Sequence, residues 1–272
     1  MPGSRGRRLA LEEPFEDVPP HLLPQLQSWL VRILQDRPEV LRVACLEARV
    51  TTCDPTVGGS NTIRALNDLL SLTDGDHHLL LELVEYVLRL GVAGSSKGLR
   101  LMLAAANSVY AVNDNGDGLE VLVDPMAKDQ VRAVIAEVSS ASCSEHLKNA
   151  WNKAYGLNPD PVNSYSESIK AVEAAVIPIL ARDDSKATLG KAINNLKNGK
   201  SNFKTVVYSP KVDALDRVGE MLSLLWDGQS GRHGGNAPTR HQTLDECRFA
   251  VHLAVTLVQM FSSGAVSRID RI

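Results

Sequence analysis

The chain has 272 residues, 44% apolar and only 4% aromatic, with a formal net charge of −3. That length allows one large domain or two small ones with an ordinary core. So small a net charge excludes a whole-molecule attraction to nucleic acid or membrane, and any anion-binding surface must be local.

Few aromatics among many Ala, Leu and Val favour helices packed on helices. The four cysteines, Cys45, Cys53, Cys143 and Cys247, are scattered without C-x-x-C spacing, which argues against a zinc site or a disulfide framework. No metal and no cofactor are expected. No apolar run approaches the ~20 residues that cross a bilayer. Arg5, Arg7 and Arg8 are followed by Glu12 and Glu13 where a signal peptide would be apolar. A soluble, cytoplasmic chain with no membrane partner is expected.

Residues 1–20 mix small, basic, acidic and proline residues without periodicity, as a disordered tail does. Residues 21–124 read as an N-terminal helical region ending in a β-hairpin. Leu22, Leu26, Trp29, Leu30 and Ile33 recur at helical spacing, then Val40, Val43 and Ala44 after Pro38. The CDPTVGGSN loop breaks this run, and Ile63, Leu66, Leu69 and Leu70 resume it. A further helix starts near Asp74 or Asp76, carries Leu79, Leu80, Leu83, Val84, Val87 and Leu88, and stops at Gly91. His77 and His78 are adjacent in its first turn, so they point apart rather than share a metal.

Residues 109–123 alternate, with Asn-Gly and Asp-Gly pairs between the apolar runs, which is a hairpin pattern. Asn113, Asn115, Asp117, Gly118 and Asp124 imitate a calcium loop. An Asn where the first ligand should be Asp, Glu120 at an apolar position and strand-like flanks argue against one.

Residues 125–272 read as a C-terminal helical domain. Val131, Val134, Ile135 and Val138 define one stretch, and a second starts at Ser142 or Ser144 and ends at Tyr155 before Gly156. Asp160 and Pro161 open a third helix. Val162, Tyr165, Ile169, Val172 and Val176 are its stripe, and Lys170 and Glu173 form a salt-linked solvent face. Residues 182–211 hold seven basic residues against two acids, a local charge of +5. That makes Lys191, Lys197, Lys200 and Lys204 candidate RNA contacts. A helix over 212–226 follows.

A Gly-rich loop then carries Arg232, His233, Arg240 and His241. It ends at a helix opened by a capping box of Thr243 and Glu246. Arg248 and His252 lie four apart on that helix and are further candidate RNA contacts. The architecture expected is mainly α: helical bundles with one small β-hairpin.

Three blocks in order, HLKNAWNKAYGLNPDPVNSYSESIKAVEAAVIPIL, TLGKAINNL and LLWDGQSGRHGG…AVHLAVTLVQMF, resemble bacterial abortive-infection C-terminal domains of the HEPN superfamily. The resemblance covers roughly 145–261. It implies a HEPN-like helical C-terminal half that forms a homodimer and acts as a metal-independent ribonuclease toxin in phage defence. The implied partners are RNA, a second copy, and an antitoxin or phage-derived trigger. The family's motif is an Arg followed by a polar residue, then a His a short way downstream. With His233 as that His, Trp226, Asp227 and Gly228 occupy the Arg positions. With Arg232 as the Arg, His241 lies eight intervening residues on.

Metal-free RNA cleavage needs a base for the 2′-OH proton, an acid for the leaving 5′-oxygen and a cation over the phosphorus. Histidine titrates near working pH, and arginine donates a charged fork to phosphate. His233 and Arg232 are therefore the first catalytic candidates, with His241 and Arg240 as the second proton carrier and cation. The alternative is a catalytically inactive HEPN-like module that binds RNA or protein and dimerises.

Overall fold

The computed structural model describes residues 14–15, 17–91, 95–184, 186–229 and 240–269. The chain is mainly helical, with 11 α-helices and two short antiparallel strand pairs among the described residues. It divides into two compact units, 1–122 and 123–272.

In the first unit α1 (Leu23–Leu34) touches α2 (Pro38–Glu47), α3 (Gly59–Thr73), α4 (His77–Arg89) and α5 (Ser95–Ala105). Its buried stripe is Leu26, Trp29, Leu30, Ile33 and Leu34, with Leu22 buried just before it. Asp76 starts α4 by accepting a hydrogen bond from Leu79 N. Gly91 follows the helix with a left-handed φ of 63°, the usual backbone for a helix stop. Two expected stripes hold only in part. Leu41, Ala44 and Cys45 are the buried residues of α2, and Val43 is exposed. In α3, Leu66 and Leu69 are buried as expected, whereas Ile63 points to solvent and Thr62 and Ala65 are buried. A single β-branched residue does not fix which arc of a short helix faces the core.

The hairpin pairs β1 (Tyr110–Val112) with β2 (Leu119–Val121), Tyr110 opposite Val121. Its turn is closed by Asn113, whose Oδ1 accepts from Gly116 N and Asp117 N and whose Nδ2 donates to Asp117. Arg100 of α5 donates to the carbonyls of Val112 and Asn113. Of the side chains that imitate calcium ligands, Asn113 and Asp117 are thus turned onto the loop itself, and Asp124 accepts from Met126 N and Ala127 N. His77 reaches Asp17 and His78 reaches Glu82, so the adjacent histidines do face apart.

The second unit is built on α8 (Pro161–Leu180). It packs on α7 (Ala141–Tyr155), α9 (Leu189–Asn198) and α11 (Leu244–Ser262), with α6 (Pro125–Glu137) and α10 (Ala214–Asp227) around them. Asp160 caps α8 by accepting from Asn163 N. Small residues bring α7 and α8 together: Ser164 Oγ donates to Ala150 O at 2.8 Å, and Cys143 Sγ to Ala171 O at 3.2 Å. Both groups are buried, so these bonds satisfy donors that water cannot reach. Tyr165, Ile169, Val172 and Val176 are buried as the periodicity predicts, whereas Val162 is exposed.

Other local expectations shift. Ser140 caps α7, two to four residues ahead of the predicted start, through Cys143 N. Lys170 pairs with Glu167, and Glu173 instead accepts from Leu189 N at 2.7 Å, tying α8 to the start of α9. A second strand pair, β3 (Phe203–Thr205) with β4 (Val266–Arg268), joins segments some sixty residues apart. No helix among the described residues is long and apolar enough to cross a membrane.

Candidate functional site

The capping box at α11 is formed as its residues predict. Thr243 N donates to Glu246 Oε2 at 2.8 Å, and Glu246 N donates to Thr243 Oγ1 at 3.3 Å. Arg240 adds a two-pronged contact, Nη2 to Glu246 Oε1 at 2.6 Å and Nη1 to Oε2 at 3.2 Å. The Arg240 hydrogen bond, then that from Thr243, holds the Glu246 carboxyl down to about 2. Both prongs of this guanidinium therefore serve the helix start.

The end of α10 is clamped from beneath. Tyr165, buried, donates its hydroxyl to Leu225 O at 3.0 Å. Gly228 lies so close that a Cβ there would stand 2.2 Å from the Tyr165 oxygen. Buried Gln242 donates Nε2 to Gly228 O at 3.0 Å, joining the two sides of the loop base. His233 and Arg232, the leading sequence candidates, lie outside the described residues. His241 is exposed and has no hydrogen-bond partner among the described residues.

Arg248 and His252 meet two aromatic residues of α7. His252 Nε2 lies 2.8 Å from the Tyr155 hydroxyl, and its ring is edge-on to Trp151 at 6.0 Å. Trp151 and Tyr155 stack on one another with centroids 4.3 Å apart. The Arg248 guanidinium sits 5.0 Å above the Tyr155 ring, a cation–π contact, and its Nε makes a long 3.5 Å contact with Ala154 O. Its terminal nitrogens have no hydrogen-bond partner among the described residues. Burial lowers the His252 pKa and so favours the neutral ring. In the tautomer whose Nε2–H donates to the Tyr155 oxygen, Nδ1 keeps the lone pair that can take a proton. Burial also raises the Tyr155 phenol, which keeps its proton in the contact.

The four candidate lysines do not converge. Lys191 lines a cleft of about 450 Å³ together with Arg182 and Arg268. Lys197 donates to Ser223 Oγ at 3.2 Å and Lys200 is held by Asp213 and Asp216, both on a different cleft. Lys204 is exposed on β3.

Sequence reasoning passed over Trp151 and Tyr155. Their four-residue spacing, in a chain with 4% aromatics, was the available signal. His146 Nδ1 is 2.7 Å from Glu167 Oε2, and Lys170 holds the other carboxylate oxygen. Among the described residues no group of three or more His, Cys, Asp or Glu could hold a metal ion.

A mainly α-helical protein with a half-buried Tyr–His–Arg cluster between two helices is the class that fold and site define. The chain matches no family model and shows no significant similarity to a curated protein or a solved structure.

Proposed function

We propose that the second unit acts on RNA as an abortive-infection-type defence factor, cleaving it without metal, with His252 as proton carrier and Arg248 as the cation facing phosphate. The observation that carries this reading is the contact of both side chains with Tyr155: the imidazole on its hydroxyl, the guanidinium over its ring. A neutral imidazole takes the 2′-OH proton, and the 2′-oxygen attacks phosphorus. The bond to the 5′-oxygen breaks, and an acid supplies the leaving oxygen with a proton. Arg248 stabilises the added charge with nitrogens that no described residue engages. His241 and His233 are the further histidines for the second proton transfer.

A binding module without cleavage is the second reading, and the commitment of Arg240 to Glu246 favours it. Labelled RNA incubated with purified protein in EDTA separates the two. Cleavage leaving 2′,3′-cyclic phosphate ends, reduced about 10²- to 10⁴-fold in His252→Ala, supports the enzyme. Bound but intact RNA supports the module, and protein that neither binds nor cleaves RNA overturns both.

A further inference from the structure

We propose that the segment from Lys204 to Lys211 is a platform for unpaired RNA bases, with Tyr208 as stacking surface and Lys204 and Lys211 as phosphate contacts. This rests on the RNA reading above and names the substrate class as single-stranded.

Three consecutive apolar residues stand in solvent here: Val206 is 76% exposed, Val207 60% and Tyr208 88%. Exposed apolar side chains are ordinary singly, but a run of three withheld from the core marks a binding surface. The run Lys-Thr-Val-Val-Tyr-Ser-Pro-Lys contains two cations and no carboxylate. The nearest acid in sequence, Asp213, is paired with Lys200, and it lines one cleft with Lys211, Asp216 and Glu220. Neither Lys204 nor Lys211 makes a salt bridge among the described residues.

The backbone holds this display in place. Val206 N donates to Ala265 O at 3.0 Å, extending the β3–β4 ladder by one bond. Thr205 Oγ1 accepts from Val207 N and Ser209 Oγ from Lys211 N. Pro210 fixes its own φ and keeps Ser209 extended. Tyr208 therefore follows a strand end fixed at Val206, on a span shaped by its own local hydrogen bonds, which limits the ordering entropy lost on binding.

Aromatic faces between backbone-tracking cations are how proteins hold single strands. Every base offers a π-face, but only an unpaired one can lay it on tyrosine. A protein partner fits less well, because lysine is depleted from the centres of protein interfaces. Val206 and Val207 supply apolar contact for the sugar and base edges beside the stack.

Fluorescence anisotropy of the full chain with labelled 2′-O-methyl oligouridylate, which cannot be cleaved through its 2′-oxygen, tests the platform. Tyr208→Ala should weaken binding about tenfold or more, and Tyr208→Phe should stay close to the parent. Lys204→Gln and Lys211→Gln should each reduce the log–log salt slope by about 0.7. Unchanged affinity in Tyr208→Ala overturns the inference, as does loss of self-association in that variant with RNA binding intact. If the parent cleaves or binds RNA and Tyr208→Ala does so equally, only the platform falls. A parent that neither binds nor cleaves removes the RNA reading as well.

Discussion

The hairpin turn of the first unit and the start of α11 in the second each bring an arginine to a polar cluster. At the hairpin, Arg100 donates to two backbone carbonyls, and Asn113 and Asp117 bond each other and the turn. Glu85 adds its carboxylate to Leu119 N at 3.4 Å. At α11, Arg240 is engaged in the same way by Glu246, yet one turn further on Arg248 keeps its terminal nitrogens unengaged by any described residue. Residue type does not distinguish these arginines; the hydrogen-bonding capacity left to them does. That is why the candidate site is placed on Arg248 and His252.

The largest test of this contrast is catalytic. His252→Ala should lower RNA cleavage by about 10²- to 10⁴-fold, while Arg100→Ala should leave the rate per folded molecule unchanged. An equal loss in both variants would dissolve the distinction between the two regions.

Next in size is the aromatic wall behind the site. Trp151 is buried and contacts both Tyr155 and His252. Trp151→Ala should therefore destabilise the protein by about 3–5 kcal/mol in urea unfolding, from lost burial and the cavity left behind. Arg100→Ala should cost only about 1 kcal/mol, because much of this arginine is in water and its carbonyl partners can be rehydrated. A larger loss at Arg100 than at Trp151 would reverse the assignment of structural weight.

The smallest effect is a difference of sign with pH. Burial, opposed by the Leu119 N–H, raises the Glu85 carboxyl above its ordinary 4.5. Its contribution to stability is complete below that ordinary value and is lost as pH rises through the raised one. Burial lowers His252 below its ordinary 6.5, so its contribution is present above that value and is lost as pH falls through the lowered one. Between the ordinary carboxyl value of 4.5 and the ordinary imidazole value of 6.5, alkalinisation should loosen the hairpin and tighten the contact between α7 and α11. Hydrogen exchange at 119–121 and along α11 reads both, and Glu85→Gln should flatten the first. Slopes of one sign in the two places would contradict it.

Local chemistry in the chain was enough for much of the helical framework. Asp76, Asp160 and Thr243 each accept from the backbone N–H three residues on, a contact whose partners are fixed once the helix begins. Mean composition and the Asn-Gly and Asp-Gly pairs likewise specify helices with a hairpin, because turn and helix preferences act over a few residues. Phase and partnership needed the folded chain. Whether Val43 or Leu41 faces inward depends on which neighbouring helix covers α2. The Tyr155–His252 contact joins residues 97 apart, and β3 meets β4 across some sixty. The lysines between 182 and 211 look alike as a charge run, but only packing put Asp213 and Asp216 on Lys200 and left Lys204 exposed. Electrostatic pairing and burial are set by neighbours in space, and local sequence preferences do not specify those neighbours.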